Sequence, residues 1–228
     1  EDDRKRQDLL ARFNAMLQRK FQGVTLQPFG SFVSVFHTAG SDIDVSLEVS
    51  PSSNWYDPRE MGPGAAAAVG GRGGGRNRRQ QQPRGYKSRK VQLLSKVASE
   101  LRYQKFADVN LIAHARVPLI KFRDPRTGVK CDVCVGNDGV YKSAVLGAMA
   151  DLDSRYRDLV FLVKMWAKNF DCNDATAGSF NSYSLSLMSL FHLQTRSPPI
   201  LPPAMRLTLQ TDAAADADLA AELAAALR

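Results

Sequence analysis

Phe29-Gly30-Ser31, ten further residues, then Asp42-Ile43-Asp44-Val45-Ser46-Leu47 is the stretch on which the reading of this chain turns. From Asp42 onward polar and apolar residues alternate. Ile43, Val45 and Leu47 share one face of a strand, and Asp42, Asp44 and Ser46 share the other. Two carboxylates on one strand face repel each other unless a cation lies between them, and hard oxygen donors at this spacing suit Mg²⁺ or Mn²⁺. Gly30 lets a phosphate approach the backbone, and Ser31 adds a hydroxyl. Phe32 to Phe36 is expected to begin a short helix whose free N–H groups face the same place, and Thr38 to Ser41 is a loop. Singly, an Asp-x-Asp on a strand is most often a solvated face, and Gly-Ser carries little information. Their conjunction at this spacing is what points to phosphate chemistry.

Working outward, Asp8 to Phe21 carries Leu9, Leu10, Phe13, Met16 and Leu17, the spacing of an amphipathic helix, and Val24, Leu26 and Pro28 mark a short strand. Arg89 to Phe106 resumes helical spacing with Val91, Leu94, Val97 and Leu101. Leu111 to Val135 reads as three strands, the last two a hairpin around Asp124-Pro125-Arg126-Thr127-Gly128. On the last strand Lys130, Asp132 and Cys134 alternate with Cys131, Val133 and Val135. If that strand pairs with the one carrying Asp42 and Asp44, Asp132 joins them, and three carboxylates can hold two metals roughly 4 Å apart.

From Ser143 onward the pattern is helical, with one long helix over Asp151 to Phe170, another over Ser182 to Gln194 before Pro198 and Pro199, and a last one over Thr211 to Arg228. The fold class is therefore α+β, a mixed sheet with helices followed by an all-helical segment. The expected division is 1–140 and 141–228.

Ser50 to Tyr86 differs in kind, with its prolines, an alanine run, Gly-Gly-Arg-Gly-Gly-Gly-Arg and three glutamines. It is too poor in apolar surface to offset the entropy of ordering, and 61–86 reads as a flexible insertion. The chain has 31 basic and 23 acidic residues, a net charge of +8. Eight of the basic residues and none of the acidic ones lie between Gly62 and Lys90, so the remainder balances. Arg72, Arg76, Arg78 and Arg79 are thus candidate RNA contacts, although low-complexity padding explains the same composition.

The chain begins Glu-Asp-Asp-Arg-Lys-Arg, without the apolar core of a secretory leader, and has no apolar stretch long enough to span a bilayer. Three cysteines give no disulfide framework, so a reducing compartment, cytoplasm or nucleus, is expected. Cys131 and Cys134 form a C-x-x-C, but alternation points the thiols to opposite faces, against a zinc site. Trp166 is expected in the core, and His37, His114 and His192 show no ligand spacing.

The first motif, Phe29-Gly30-Ser31 followed by Asp42-Ile43-Asp44-Val45, resembles the signature of the polymerase-beta-like nucleotidyltransferases. Val117-Pro118-Leu119-Ile120-Lys121-Phe122, Cys131-Asp132-Val133, Arg155 to Asn169 and Gly178 to Met188 are similar to the terminal uridylyltransferases and cytoplasmic poly(A) polymerases. With Ile200-Leu201-Pro202-Pro203 the chain looks closest to the plant and algal enzymes that uridylate small RNAs. The resemblance implies a polymerase-beta-like palm followed by a partial helical central domain, and template-independent transfer of UMP from UTP to an RNA 3′ end. Transfer of adenylate from ATP is the nearest alternative, and a non-catalytic RNA-binding module the second.

On the resemblance, Asp42, Asp44 and Asp132 are the metal carboxylates, with Asp132 also activating the RNA 3′-hydroxyl. Gly30, Ser31, Lys164, Lys168 and Ser182 hold the triphosphate, Tyr183 stacks on the base and Asn137 lies near the ribose. Lys164 and Lys168, four apart, share a helix face. Two departures from the family stand out. Ser143 replaces a longer Asn-Thr contact, and the base-recognition motif that normally follows the proline pair is not in the sequence, as in a truncated chain.

Overall fold

A computed structural model describes residues 2–38, 40–61 and 88–204. It divides into two compact units, residues 1–32 with 38–140, and residues 33–37 with 141–228. The Arg-Gly insertion, with Arg72, Arg76, Arg78 and Arg79, and the helix expected over Thr211 to Arg228 lie outside the described residues.

The first unit is built on a five-stranded mixed sheet. Its elements are α1 (Asp2–Lys20), β1 (Val24–Phe29), β2 (Ile43–Val49), α2 (Pro58–Met61), α3 (Arg89–Tyr103), β3 (Ala107–Ile112), β4 (Leu119–Arg123) and β5 (Lys130–Val135). The strand order is β1-β2-β5-β4-β3, with β2 and β5 parallel and the other pairs antiparallel. Ile43, Val45 and Leu47 of β2, Ile120 and Phe122 of β4, and Cys131, Val133 and Val135 of β5 are buried in one core with Leu9, Phe13 and Leu17 of α1 and Leu94, Val97 and Leu101 of α3. Each large apolar side chain fully withdrawn from water contributes about 1.5–3 kcal/mol. The alternate positions of β2 and β5 are thereby forced onto the opposite face of the sheet.

Helix α1 begins six residues before the apolar pattern suggests. Arg6 extends the stripe of Leu9, Phe13, Met16 and Leu17 by one turn and is buried. Its guanidinium donates to the carbonyls of Thr38, at 2.9 Å, and Ser41, at 3.2 Å. Residues 50–61 also depart from expectation, because they are packed. Trp55 lies against Phe21, α2 forms, and the Glu60 carboxylate accepts from Ser88 Oγ and from the backbone N–H groups of Arg89 and Lys90 at the start of α3. The expected helix over Phe32 to Phe36 is a series of turns, and Val35, a β-branched residue, sits at φ 56, which no α-helix accommodates.

Helix α3 stops at Tyr103, before Phe106, in a Schellman motif. Lys105 N–H donates to Arg102 O and Phe106 N–H to Leu101 O, with Lys105 at φ 65 in the position glycine favours. A lysine there costs about 1 kcal/mol. Lys105→Gly is expected to raise Tm by about 2–4 °C in a thermal melt.

The second unit contains α4 (Gly139–Leu152), α5 (Ser154–Asn169), a 3₁₀ turn (Ala175–Ala177) and α6 (Ser182–Thr195). The single long helix expected over Asp151 to Phe170 is divided, because Asp153 caps α5 by accepting from Arg155 N–H at 2.9 Å. Tyr156 anchors this core. Its ring packs edge-on against Phe36 at 5.2 Å and its hydroxyl donates to Ser186 O. Trp166 is 55% exposed, contrary to its expected place in the core. The buried stripe of α5 runs through Tyr156, Val160 and Ala167, and Trp166 lies off it, tilted against Phe170. Among the described residues no helix is long and apolar enough to cross a membrane.

Candidate active site

The face of the sheet opposite α1 and α3 carries the carboxylates, which are half-buried. In the parallel pairing of β2 with β5, Asp44 stands directly beside Asp132 and Ser46 beside Cys134. Asp42 immediately precedes β2, at the end of the loop that Arg6 holds. Within that loop Thr38 N–H donates to Ser41 Oγ at 2.9 Å. Arg6 is a positioning residue that the sequence reading missed. Its signal was the helical phase, three residues before Leu9, hidden in a run that looks like a charged leading segment.

Gly30 closes the site from β1, whose last residue, Phe29, pairs with Asp44. Gly30 has φ +71, and a Cβ at this position would overlap the Asp44 carboxylate. Only glycine satisfies both constraints. The Ser31 hydroxyl makes no hydrogen bond to a described residue. The turns at residues 31–35, in place of a helix start, are what lie next to it.

Lys121 is the second residue the sequence reading left without a role. It pairs with Asp132 across the β4–β5 hairpin, and its ammonium donates to Asp132 Oδ2 at 2.5 Å. The register follows from the turn. Asp124 accepts from Arg126 N–H and Thr127 Oγ1 and from Arg12 of α1, which fixes Arg123 opposite Lys130 and so Lys121 opposite Asp132.

Asp44 is pushed from the usual 3.8 up to about 6, first by burial, then by the negative charges of Asp132 and Asp42, with Lys121 opposing. This repulsion is what a hard divalent cation would relieve, and the donor set of three carboxylates fits one. Among the described residues no group of three or more His, Cys, Asp or Glu side chains is arranged to hold a metal ion. Lys121 supplies the positive charge at Asp132 instead. The linkage has a definite sign. A carboxyl whose folded pKa is raised adds stability below about pH 4, and that stability is lost as pH rises through 6. Without divalent metal, Asp44→Asn is expected to stabilise the protein at pH 7.5 by roughly 2–3 kcal/mol and far less at pH 4.5, as read by thermal melts.

Asn137 sits just after β5. Its N–H donates to Ser46 Oγ, its side-chain amide to Cys134 Sγ, and its Oδ1 accepts from Gly139 N–H at the start of α4. Both of its side-chain polar groups are engaged within the fold. The Cys131 and Cys134 thiols are both raised by burial and lie on opposite faces of β5, which agrees with the reading against zinc.

Four predicted residues belong to the second unit. Lys164 Nζ donates to Phe36 O at 2.9 Å, and burial, then the charge of Lys168 one turn on, lowers its pKa. Ser182 begins α6 and shares hydrogen bonds with the Asn173 amide at 3.3 Å. Tyr183 follows it, 40% exposed, its hydroxyl raised by burial.

Comparison with known proteins gives a consistent result. The family described as "Poly(A) RNA polymerase, mitochondrial-like, central palm domain" matches residues 1–150. Protein HESO1 of Arabidopsis thaliana is 38% identical over 184 residues, 80% of this chain and 31% of that protein. Poly(A) RNA polymerase GLD2 of Mus musculus is 45% identical over 92 residues, 40% of this chain and 19% of that protein. The crystal structure of mtPAP in complex with UTP superposes with a TM-score of 0.65 at 28% identity, covering 85% of this chain and 38% of that one. The chain thus spans less than two fifths of the length of each. The mixed five-stranded sheet with its helices is the architecture shared with these polymerase-beta-like structures. The chain belongs to the family of the mitochondrial-like poly(A) RNA polymerase central palm domain.

Proposed function

We propose that this chain is the palm, with part of the central domain, of an RNA nucleotidyltransferase that adds UMP from UTP to RNA 3′ ends, small RNAs foremost. The observation that carries the reading is the pairing of Asp44 with Asp132 on one sheet face, beside a glycine whose missing Cβ leaves room for the Asp44 carboxylate.

In this reaction the oxygen of the RNA 3′-hydroxyl attacks the α-phosphorus of UTP, a P–O bond to the departing pyrophosphate breaks, and Asp132 accepts the hydroxyl proton. A divalent cation, Mg²⁺ or Mn²⁺, held by Asp42, Asp44 and Asp132, would supply charge neutralisation for the triphosphate and lower the pKa of the attacking hydroxyl. The chain's own groups do the rest. Gly30 admits the phosphates to the backbone, and Ser31 donates its hydroxyl to them. Within the second unit, the family resemblance assigns Lys164, Lys168 and Ser182 to phosphate and Tyr183 to the base.

Uridylate rather than adenylate is favoured by the motifs shared with plant and algal small-RNA uridylyltransferases and by the match to a plant relative over 80% of the chain. Transfer from ATP is the second reading, favoured by the family description and by the match to a poly(A) RNA polymerase over 40% of the chain. Competition of UTP against ATP in a tailing assay on a labelled RNA separates the two. The proposal expects UMP incorporation to exceed AMP at equal concentrations by at least about tenfold, a difference of about 1.4 kcal/mol in transition-state binding. A preference for ATP refutes the choice of UTP.

A further inference from the structure

At the turn end of the β4–β5 hairpin, two residue pairs beyond Lys121 and Asp132, lies a cavity of about 440 Å³, walled by α1, the loop after α3 and the hairpin turn. Arg12, Arg19, Lys105 and Arg126 line it, with Phe106 and Asp124. Asp124 is the sole carboxylate among these, and it is spent. It is buried and bonded to Arg12 and Thr127, while Arg12 is also held by Asp8. Three cations remain, one from each wall. Arg19, Lys105 and Arg126 are exposed, and none of them pairs with a carboxylate among the described residues.

Two further observations give the cavity a ligand class and a direction. Lys105 occupies the left-handed position that closes α3, where glycine would serve the fold better, so the lysine is not explained by the helix stop. The hairpin whose turn forms one wall is also the hairpin that carries Asp132. Lys130, exposed, lies two residues from Asp132 on the same strand face, and the turn follows at roughly 15 Å from Asp132 at strand rise. The cavity itself lies on the side of the sheet where α1 packs, so an RNA strand leaving the carboxylates reaches it around the hairpin turn, past Lys130. The space is too large for one phosphate group, and its charges come from three separate elements, which suits a chain of phosphates rather than a free anion.

We infer that this cavity is a secondary RNA site, in which Arg19, Lys105 and Arg126 hold phosphodiesters a few nucleotides upstream of the 3′ end. The inference rests on the RNA-tailing reading. It adds a length dependence that the catalytic centre alone does not give: short primers cannot reach the cavity and longer RNA can.

The test uses the full-length protein and the double variant Lys105→Gly/Arg126→Ala, which touches none of the residues assigned to nucleotide or metal. Arg126 contributes to the turn through its backbone N–H, and glycine suits position 105, so folding is expected to hold, checked by Tm. Fluorescence anisotropy with a labelled 20-nucleotide single-stranded RNA is expected to show affinity lowered roughly tenfold near 0.1 M salt. The slope of log affinity against log salt should shrink by about 1.4, the value for two lost single-strand phosphate contacts. In tailing assays the KM for the 20-mer should rise while the KM values for UTP and for a trinucleotide primer stay unchanged. Equal RNA affinity and equal salt slope in the two proteins overturn the site. If the wild type extends neither primer, the tailing reading fails, and the anisotropy comparison still decides whether the cavity binds RNA.

Discussion

On the proposed function, Asp44→Ala is expected to reduce metal-dependent nucleotide transfer to RNA by about 10³-fold or more while leaving the fold intact. Loss of a carboxylate that places a divalent cation removes several kcal/mol of charge stabilisation at the reacting phosphate, and about 4 kcal/mol corresponds to 10³ in rate. The fold should survive because Asp44 lies on the sheet face opposite the core of Ile43, Val45 and Leu47, and because its ionised form is disfavoured there in the absence of metal. The variant should therefore melt at or above the wild-type temperature at pH 7.5 in EDTA. A destabilised variant would mean that the carboxylate serves the fold. A stable and active one would mean that the site has been misassigned.

Gly30→Ala is the second change with a large expected effect, and it separates two costs. A left-handed φ charges alanine about 1 kcal/mol, whatever surrounds it. At Gly30 the new Cβ also meets the Asp44 carboxylate, which must turn away. Gly128 has a similar φ of +76 with nothing within 4 Å of its would-be Cβ. Gly128→Ala thus carries the backbone cost alone. Gly128→Ala should lose a few degrees of Tm, and Gly30→Ala more, because the clash with Asp44 adds to the backbone cost. Gly30→Ala alone should lose kcat, by roughly 10–100-fold, if displacing Asp44 costs the reaction about 1.4–2.7 kcal/mol. Equal activity in the two variants would show that the contact between Gly30 and Asp44 is not part of the chemistry.

The strands were legible because their burial is one-sided. Alternation in β2 and β5 placed Asp44 and Asp132 on one face, and the hairpin turn over Asp124–Gly128 supplied the register that seats Lys121 against Asp132. What sequence periodicity could not convey were effects that act across the chain or against local propensity. Arg6 looks like part of a charged leader until its bonds to Thr38 and Ser41 show it bracing the loop before Asp42. The turns at residues 31–35 override a helix-like composition, with Val35 in a conformation that a β-branched residue rarely adopts. Residues 50–61 read as part of a low-complexity stretch, yet Trp55 finds Phe21 and Glu60 finds the start of α3, partners distant in sequence. Trp166 was drawn toward the core by its size, whereas the helical phase of α5 leaves it outside. The faces of Asp44 and Asp132 were legible from local alternation, whereas their neighbourhood depended on the long-range pairing of β2 with β5.

On the proposed function, Asp42, Asp44 and Asp132 bind a nucleotide triphosphate through a divalent cation. Isothermal titration of UTP into the protein, with Mg²⁺ and then with EDTA, and repeated on Asp44→Ala, measures this directly. UTP binding is expected to require Mg²⁺ and to be lost in the variant. UTP binding of equal strength without metal, or undiminished in Asp44→Ala, would contradict it.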